Sequence, residues 1–97
     1  MIKVFIKKNE INISGHAFYD SLGKDIVCAS VSSIAITTIN AIVRLDENAI
    51  NYEDENGLNI KVLKDTREVK VLIDNMIALL EELEQDYPKN IKIYREV

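Results

Sequence analysis

Residues 26–45 read IVCASVSSIAITTINAIVRL, and the way this stretch folds decides the architecture around it. No charge occurs between Ile26 and Val43, a run long enough to raise the question of a membrane span. Ser30, Ser32, Ser33, Thr37, Thr38 and Asn40 interrupt it. Ser30, Ser33, Thr37, Asn40 and Arg44 recur at steps of three and four, which puts them on one stripe of a helix. Val31, Ala35, Ile39 and Ile42 lie roughly opposite, and so does Cys28. This pattern predicts a helix from Ile26 to about Leu45, buried along one side, in a cytoplasmic protein that does not enter a membrane. The polar stripe reads as a solvated face, and its small residues would also suit packing against a second copy of the chain.

Outward from that helix, strands are expected on both sides. MIKVFIKK (residues 1–8) alternates, with Ile2, Val4 and Ile6 on one face and Lys3, Phe5 and Lys7 on the other. Asn9-Glu10 is a turn candidate, and Ile11 and Ile13 continue the alternation as the second strand of a hairpin. This charged, alternating start is a strand and not a signal peptide. Downstream, Ala49–Asp54 and Leu58–Leu63 flank Asp54-Glu55-Asn56-Gly57, where Asn-Gly signals a second hairpin. Asp65 or Thr66 caps a second helix, with Glu68 reaching back from its first turn. Val69, Leu72, Ile73, Met76, Leu80 and Leu83 form its apolar face, and Pro88 stops it. Lys89–Val97 offers a last strand. The expected fold is α+β, element order ββαββαβ: two layers, a mostly antiparallel sheet with two helices on one face. Pattern alone leaves the strand order open.

Composition narrows the function classes. The 97 residues are 47% hydrophobic and 29% charged, which excludes a disordered chain and supports one domain over residues 1–97 with no second core. The net charge of −4, with cations scattered along the chain, argues against direct nucleic-acid binding and favours a basic protein partner. The single cysteine, Cys28, precludes an intramolecular disulfide. Neither metal-ligand spacing nor a phosphate-cradling glycine loop occurs, so no metal or cofactor is expected.

One region concentrates chemistry: GHAFYDSLGKDIVCAS, residues 15–30. It holds the only histidine and the only cysteine, twelve positions apart, with ample chain between them to bring the side chains together. A thiol is only a few per cent ionised at neutral pH. Placed in a first helical turn beside a histidine, Cys28 gains the dipole, the N–H groups and the imidazole that favour a thiolate, and the same N–H groups could hold an oxyanion. The other reading is an inert thiol, because free cysteine is among the most buried residues and Cys28 lies on the apolar side. His16 is a general base for that thiol or an incidental surface residue. Its position poses a parity problem: an unbroken second strand would point it away from the Ile11 and Ile13 face, so Gly15 must end the strand or seat a bulge. Asp25 caps the helix or orients His16. Ser32 lines the site or satisfies a backbone carbonyl. Tyr19, Ser21 and Gly23 belong to a loop that would close over the site as a lid or simply connect.

Gly15-His16-Ala17, Gly23, Asp25-Ile26-Val27-Cys28-Ala29 and Val31-Ser32 closely resemble the signature of the bacterial ribosomal-processing cysteine protease family (Prp). The resemblance implies a cysteine endopeptidase that removes the N-terminal extension of a basic large-subunit ribosomal protein, the twenty-seventh of that set. It implies Cys28 as nucleophile and His16 as base, with Asp25, Ser32, Gly15 and Ala29 at matching positions of the signature, and a homodimer. Ser30 and Phe18-Tyr19-Asp20-Ser21 depart from the family pattern. A non-catalytic, dimeric ribosome-assembly module with a buried structural cysteine is the alternative from a different class.

Overall fold

The computed structural model describes residues 1–16 and 25–96. Its elements are β1 (Ile2–Lys7), β2 (Glu10–Ser14), α1 (Ile26–Leu45), β3 (Ile50–Asp54), β4 (Leu58–Val62), α2 (Arg67–Asp86) and β5 (Ile91–Arg95). The element order is the one the alternation and periodicity predict. The strands form one sheet in the order β3-β4-β2-β1-β5. Three neighbouring pairs are antiparallel, and β5 runs parallel to β1.

Register explains why both helices share a face. Val4 opposes Ile13 and Ile93, Ile11 opposes Ile60, and Ile50 opposes Val62. One face is therefore continuously aliphatic, because side chains alternate along each strand. α1 lays Val27, Val31, Ala35, Ile39 and Ile42 onto it, and α2 adds Val69, Ile73, Met76, Ile77 and Leu80. By length and composition α1 could cross a membrane, but its apolar stripe is spent in this core. Ser33, Thr37, Asn40 and Arg44 of the opposite stripe are exposed. Thr38 is buried and donates its hydroxyl to the Ile34 carbonyl at 2.9 Å.

The turns and caps depart from expectation by single residues. Lys7 pairs with Glu10, so the first turn is Lys8-Asn9, with Asn9 in the left-handed region at φ 62°, which asparagine tolerates. Thr66 caps α2, accepting from the Val69 amide at 3.3 Å. That cap puts Glu68 one position too early to answer it, since a reciprocal box needs the acid three residues on. At the end of α1, Asp46 accepts from the Lys64 ammonium and the Asn48 amide, both at 2.9 Å. These bonds hold its carboxyl below the ordinary carboxylate value.

The C-terminal turn of α2 carries Glu81, Glu82, Glu84 and Asp86, an arrangement the helix dipole disfavours. Two of these acids serve the edge strand. Glu84 accepts from the Ile93 amide at 2.7 Å, and Glu81 accepts from Arg95 at 2.7 Å. An edge amide left open is a liability, and a carboxylate covers this one. Glu84→Ala should lower stability by about 1–2 kcal/mol, read as a reduced urea midpoint. An unchanged midpoint would mean that water serves the Ile93 amide equally well.

Candidate active site

The N-terminus of α1 and the end of β2 meet at one end of the helix layer. Asp25 adopts an extended conformation, and its Oδ1 accepts from the Val27 and Cys28 amides, both at 3.0 Å. The Ala29 amide donates to the Asp25 carbonyl at 3.1 Å. Asp25 is thus the N-cap, and Cys28 stands in the first turn with its own amide fixed by the cap. This arrangement corrects one expectation. The Val27 and Cys28 amides, two of the donors the first turn would offer an oxyanion, are taken by Asp25.

Strand β2 stops at Ser14, and Gly15 takes φ 88°. The alternation that would have turned His16 away is broken there, as the parity of the sequence requires. His16 is exposed and stands on the wall of the cleft that Cys28 lines. Gly57, at φ 107°, lets the β3–β4 turn approach the same strand end. A Cβ on it would lie 2.8 Å from the Ile13 carbonyl oxygen.

The cleft has a volume of about 470 Å³. Ile2, Ile13, Val31, Ala35 and Leu58 give it an apolar floor. Ser14, Gly15 and His16 line it from the end of β2, Asp54, Asn56 and Gly57 from the adjoining β3–β4 turn, and Cys28, Ser32 and Ile36 from the helix. Cys28 is half-buried, packed below by core residues and open above to the cleft. Cys28, Ser32 and Ile36 lie at helical steps of four on one face of α1. From Cys28 to Ile36 the helix rises about 12 Å, a distance an extended peptide covers in about four residues.

The structure thus brings together Cys28, His16, Ser32 and Gly15, with Asp25 at the mouth of the helix. It does not bring Ala29 to them. Ala29 lines the groove between the helices with Ile26, Ser33 and Leu83, because one residue along a helix is about 100° around it. Tyr19, Ser21 and Gly23 lie outside the described residues. Ile36, Asp54 and Asn56 were not read as site residues from sequence. The spacing from Cys28 could have found Ile36, which is 56% exposed despite its size. Asp54 and Asn56 reach the cleft only through the pairing of β4 with β2, and no pattern in the chain announces it. Among the described residues no cluster of His, Cys, Asp or Glu could hold a metal ion.

Asp25 carries a prediction of its own. As a cap alone, Asp25→Asn should keep both amide bonds and nearly full stability, while Asp25→Ala should lose about 1 kcal/mol. Loss of activity in the asparagine variant with stability unchanged would instead show that the carboxylate orients His16.

Comparison with known proteins puts this site in a family. A family model described as cysteine protease Prp matches residues 1–92. The chain is 32% identical to the ribosomal processing cysteine protease Prp of Staphylococcus aureus (strain Mu50) over 91 residues, 90% of this chain and 86% of that one. It is 28% identical to the ribosomal processing cysteine protease Prp of Mycoplasma genitalium over 99 residues, covering 99% and 97% of the two chains. Its fold is similar to a crystal structure of the ribosomal processing protease Prp from S. aureus in complex with a covalently linked product peptide. That match has a TM-score of 0.88 and 29% identity, and covers 99% of this chain and 100% of the other. With a half-buried thiol and a histidine on one cleft, and a family match over nearly its whole length, this chain belongs to the cysteine protease Prp family.

Proposed function

We propose that the chain is an endopeptidase whose nucleophile is Cys28 and whose general base is His16, and that it removes the N-terminal extension of large-subunit ribosomal protein twenty-seven in the cytoplasm. The single observation that carries this reading is the shared cleft: the one thiol and the one imidazole of the chain line the same groove. The names of the relatives in S. aureus and M. genitalium, both ribosomal processing proteases, support the substrate class. A basic ribosomal tail also suits a protein of net charge −4.

The substrate tail lies extended along α1 from Cys28 toward Ile36. His16 takes the thiol proton, and the sulfur attacks the scissile carbonyl carbon to form a C–S bond. His16 then protonates the leaving amine as the C–N bond breaks. Water, deprotonated by the same imidazole, hydrolyses the thioester and returns the thiol. The apolar floor of Ile13, Val31, Ala35 and Leu58 favours apolar side chains next to the scissile bond. While Asp25 holds the Val27 and Cys28 amides, those two donors do not serve the oxyanion.

The single cysteine makes the test clean. Iodoacetamide on the native protein should modify Cys28 alone, abolish cleavage of a peptide spanning the extension junction, and react more slowly when that peptide is present. A native thiol inert to alkylation, with every junction peptide left intact, would overturn the proposal in favour of a binding module.

A further inference from the structure

The sheet face opposite the helices carries an arrangement that the linear sequence scatters. Parallel pairing of β1 with β5 sets Phe5 beside Tyr94 and Lys3 beside Lys92. The two rings stack, with centroids 5.0 Å apart and planes 13° from parallel. Tyr94 is 39% exposed. Next to the rings, Lys3 and Lys92 are exposed like charges in register, a juxtaposition that costs a sheet stability unless an anion answers it. Among the described residues neither makes an ion pair. Across the other strand Lys3 opposes Ser14, so no carboxylate stands in that row.

Further along β1, Lys7 is exposed about 13 Å from Lys3, opposite Glu10. Glu53 lies on the same face toward β3, and Glu96 borders the shallow depression beside Phe5. In that depression Asn12 donates its side-chain amide to Asn59 at 3.5 Å. The acidity that sets the net charge lies elsewhere: α2 alone holds six carboxylates against two cations. The molecule is polarised, with acid on the helix layer and lysine flanking aromatics on the sheet.

We propose that this outer face, centred on Phe5, Tyr94, Lys3 and Lys92, is a docking surface for single-stranded nucleic acid. The exposed ring of Tyr94 offers a base a stacking partner already backed by Phe5, and the Lys3–Lys92 pair receives the adjacent phosphate. Every base has a π-face, so binding depends little on sequence. A duplex hides its base faces and gains only the charge. The surface is separate from the Cys28 cleft, and occupying it leaves that cleft open.

The test is fluorescence anisotropy of a labelled eight-nucleotide single-stranded RNA titrated with the whole chain at low salt. Binding is expected, with log affinity falling by about 1.4 for each tenfold rise in salt, as contact of a single strand with the two lysines requires. Tyr94→Thr should weaken it about tenfold, and Lys92→Glu at least tenfold, with circular dichroism and peptide cleavage unchanged in both. Three results would overturn the proposal: no anisotropy change at about 0.1 mM protein, equal affinity in both variants, or equal affinity for the duplex of the same sequence. So would a Tyr94→Thr chain that sediments as a smaller species than wild type, which would make this face a contact between copies of the chain.

Discussion

Cys28→Ala is expected to fold as the wild type does and to cut the junction peptide about 10⁴-fold more slowly or not at all. The sulfur is half-buried against the core, so its loss opens only a small void and should cost stability about 1 kcal/mol or less. The chemical loss is far larger, because no other thiol exists in the chain to form the acyl-enzyme. His16→Ala should fall nearly as far, since the histidine moves the proton in both half-reactions. His16 is exposed on the cleft wall, and removing it should hardly alter the urea midpoint. The decisive measurement is the double variant. Two residues that act as a unit are non-additive, so Cys28→Ala with His16→Ala should be no slower than the worse single change. Independent, multiplying losses would mean that the residues do not act on one proton, and the proposed pair would fail. His16→Ala should also slow alkylation of the native thiol, which ties the two side chains together in the absence of any substrate.

The elements of this fold were legible because each carries a local signal. Alternation marks β1 and β2, the three-and-four spacing marks α1, Asn56-Gly57 marks the second hairpin, and Pro88 marks the end of α2. Strand order was not legible, and the reason is physical. Ile2, Val4, Ile11, Ile13 and Ile60 are all aliphatic at alternate positions, so pattern alone lets any strand lie beside any other. The order β3-β4-β2-β1-β5 rests on two long-range pairings, β2 with β4 and β1 with β5, and neither has a local signal. The same ignorance hid half of the site. Cys28, Ser32, His16 and Gly15 could be read from spacing within residues 15–32, whereas Asp54 and Asn56 arrive from a turn that only tertiary pairing brings near. It also hid the Phe5–Tyr94 stack, whose members stand at opposite ends of the chain. The first-turn amides failed in the other direction: the helix was placed correctly, and its own cap, Asp25, consumes the Val27 and Cys28 donors.

Gly15→Ala should lower stability by about 2 kcal/mol or more and peptide cleavage by about 100-fold. Two costs coincide there. The backbone sits at φ 88°, where a side chain is strained, and the added methyl would run into the Met1 carbonyl oxygen. The Met1 carbonyl cannot yield cheaply, because Met1 leads directly into β1, where Ile2 is buried in the core and Lys3 pairs with Ser14. Relief must come from Gly15 returning toward strand geometry, which restores the parity that turns His16 out of the cleft. Stability and catalysis should therefore fall together, and cleavage should remain low at temperatures where the variant is fully folded. Gly57→Ala provides the contrast. It is strained at φ 107° and would crowd the Ile13 carbonyl, so it should also lower the urea midpoint. Its methyl would also meet Ser14, 3.0 Å from that side chain's Cβ, but it leaves the positive φ of Gly15 itself untouched, so its cleavage should recover further than that of Gly15→Ala once the chain is folded. A Gly15→Ala chain with wild-type cleavage whenever folded would show that the break after Ser14 does not aim the histidine. Equal catalytic losses in the two glycine variants would show that crowding the end of β2, and not the conformation of Gly15, is what costs cleavage.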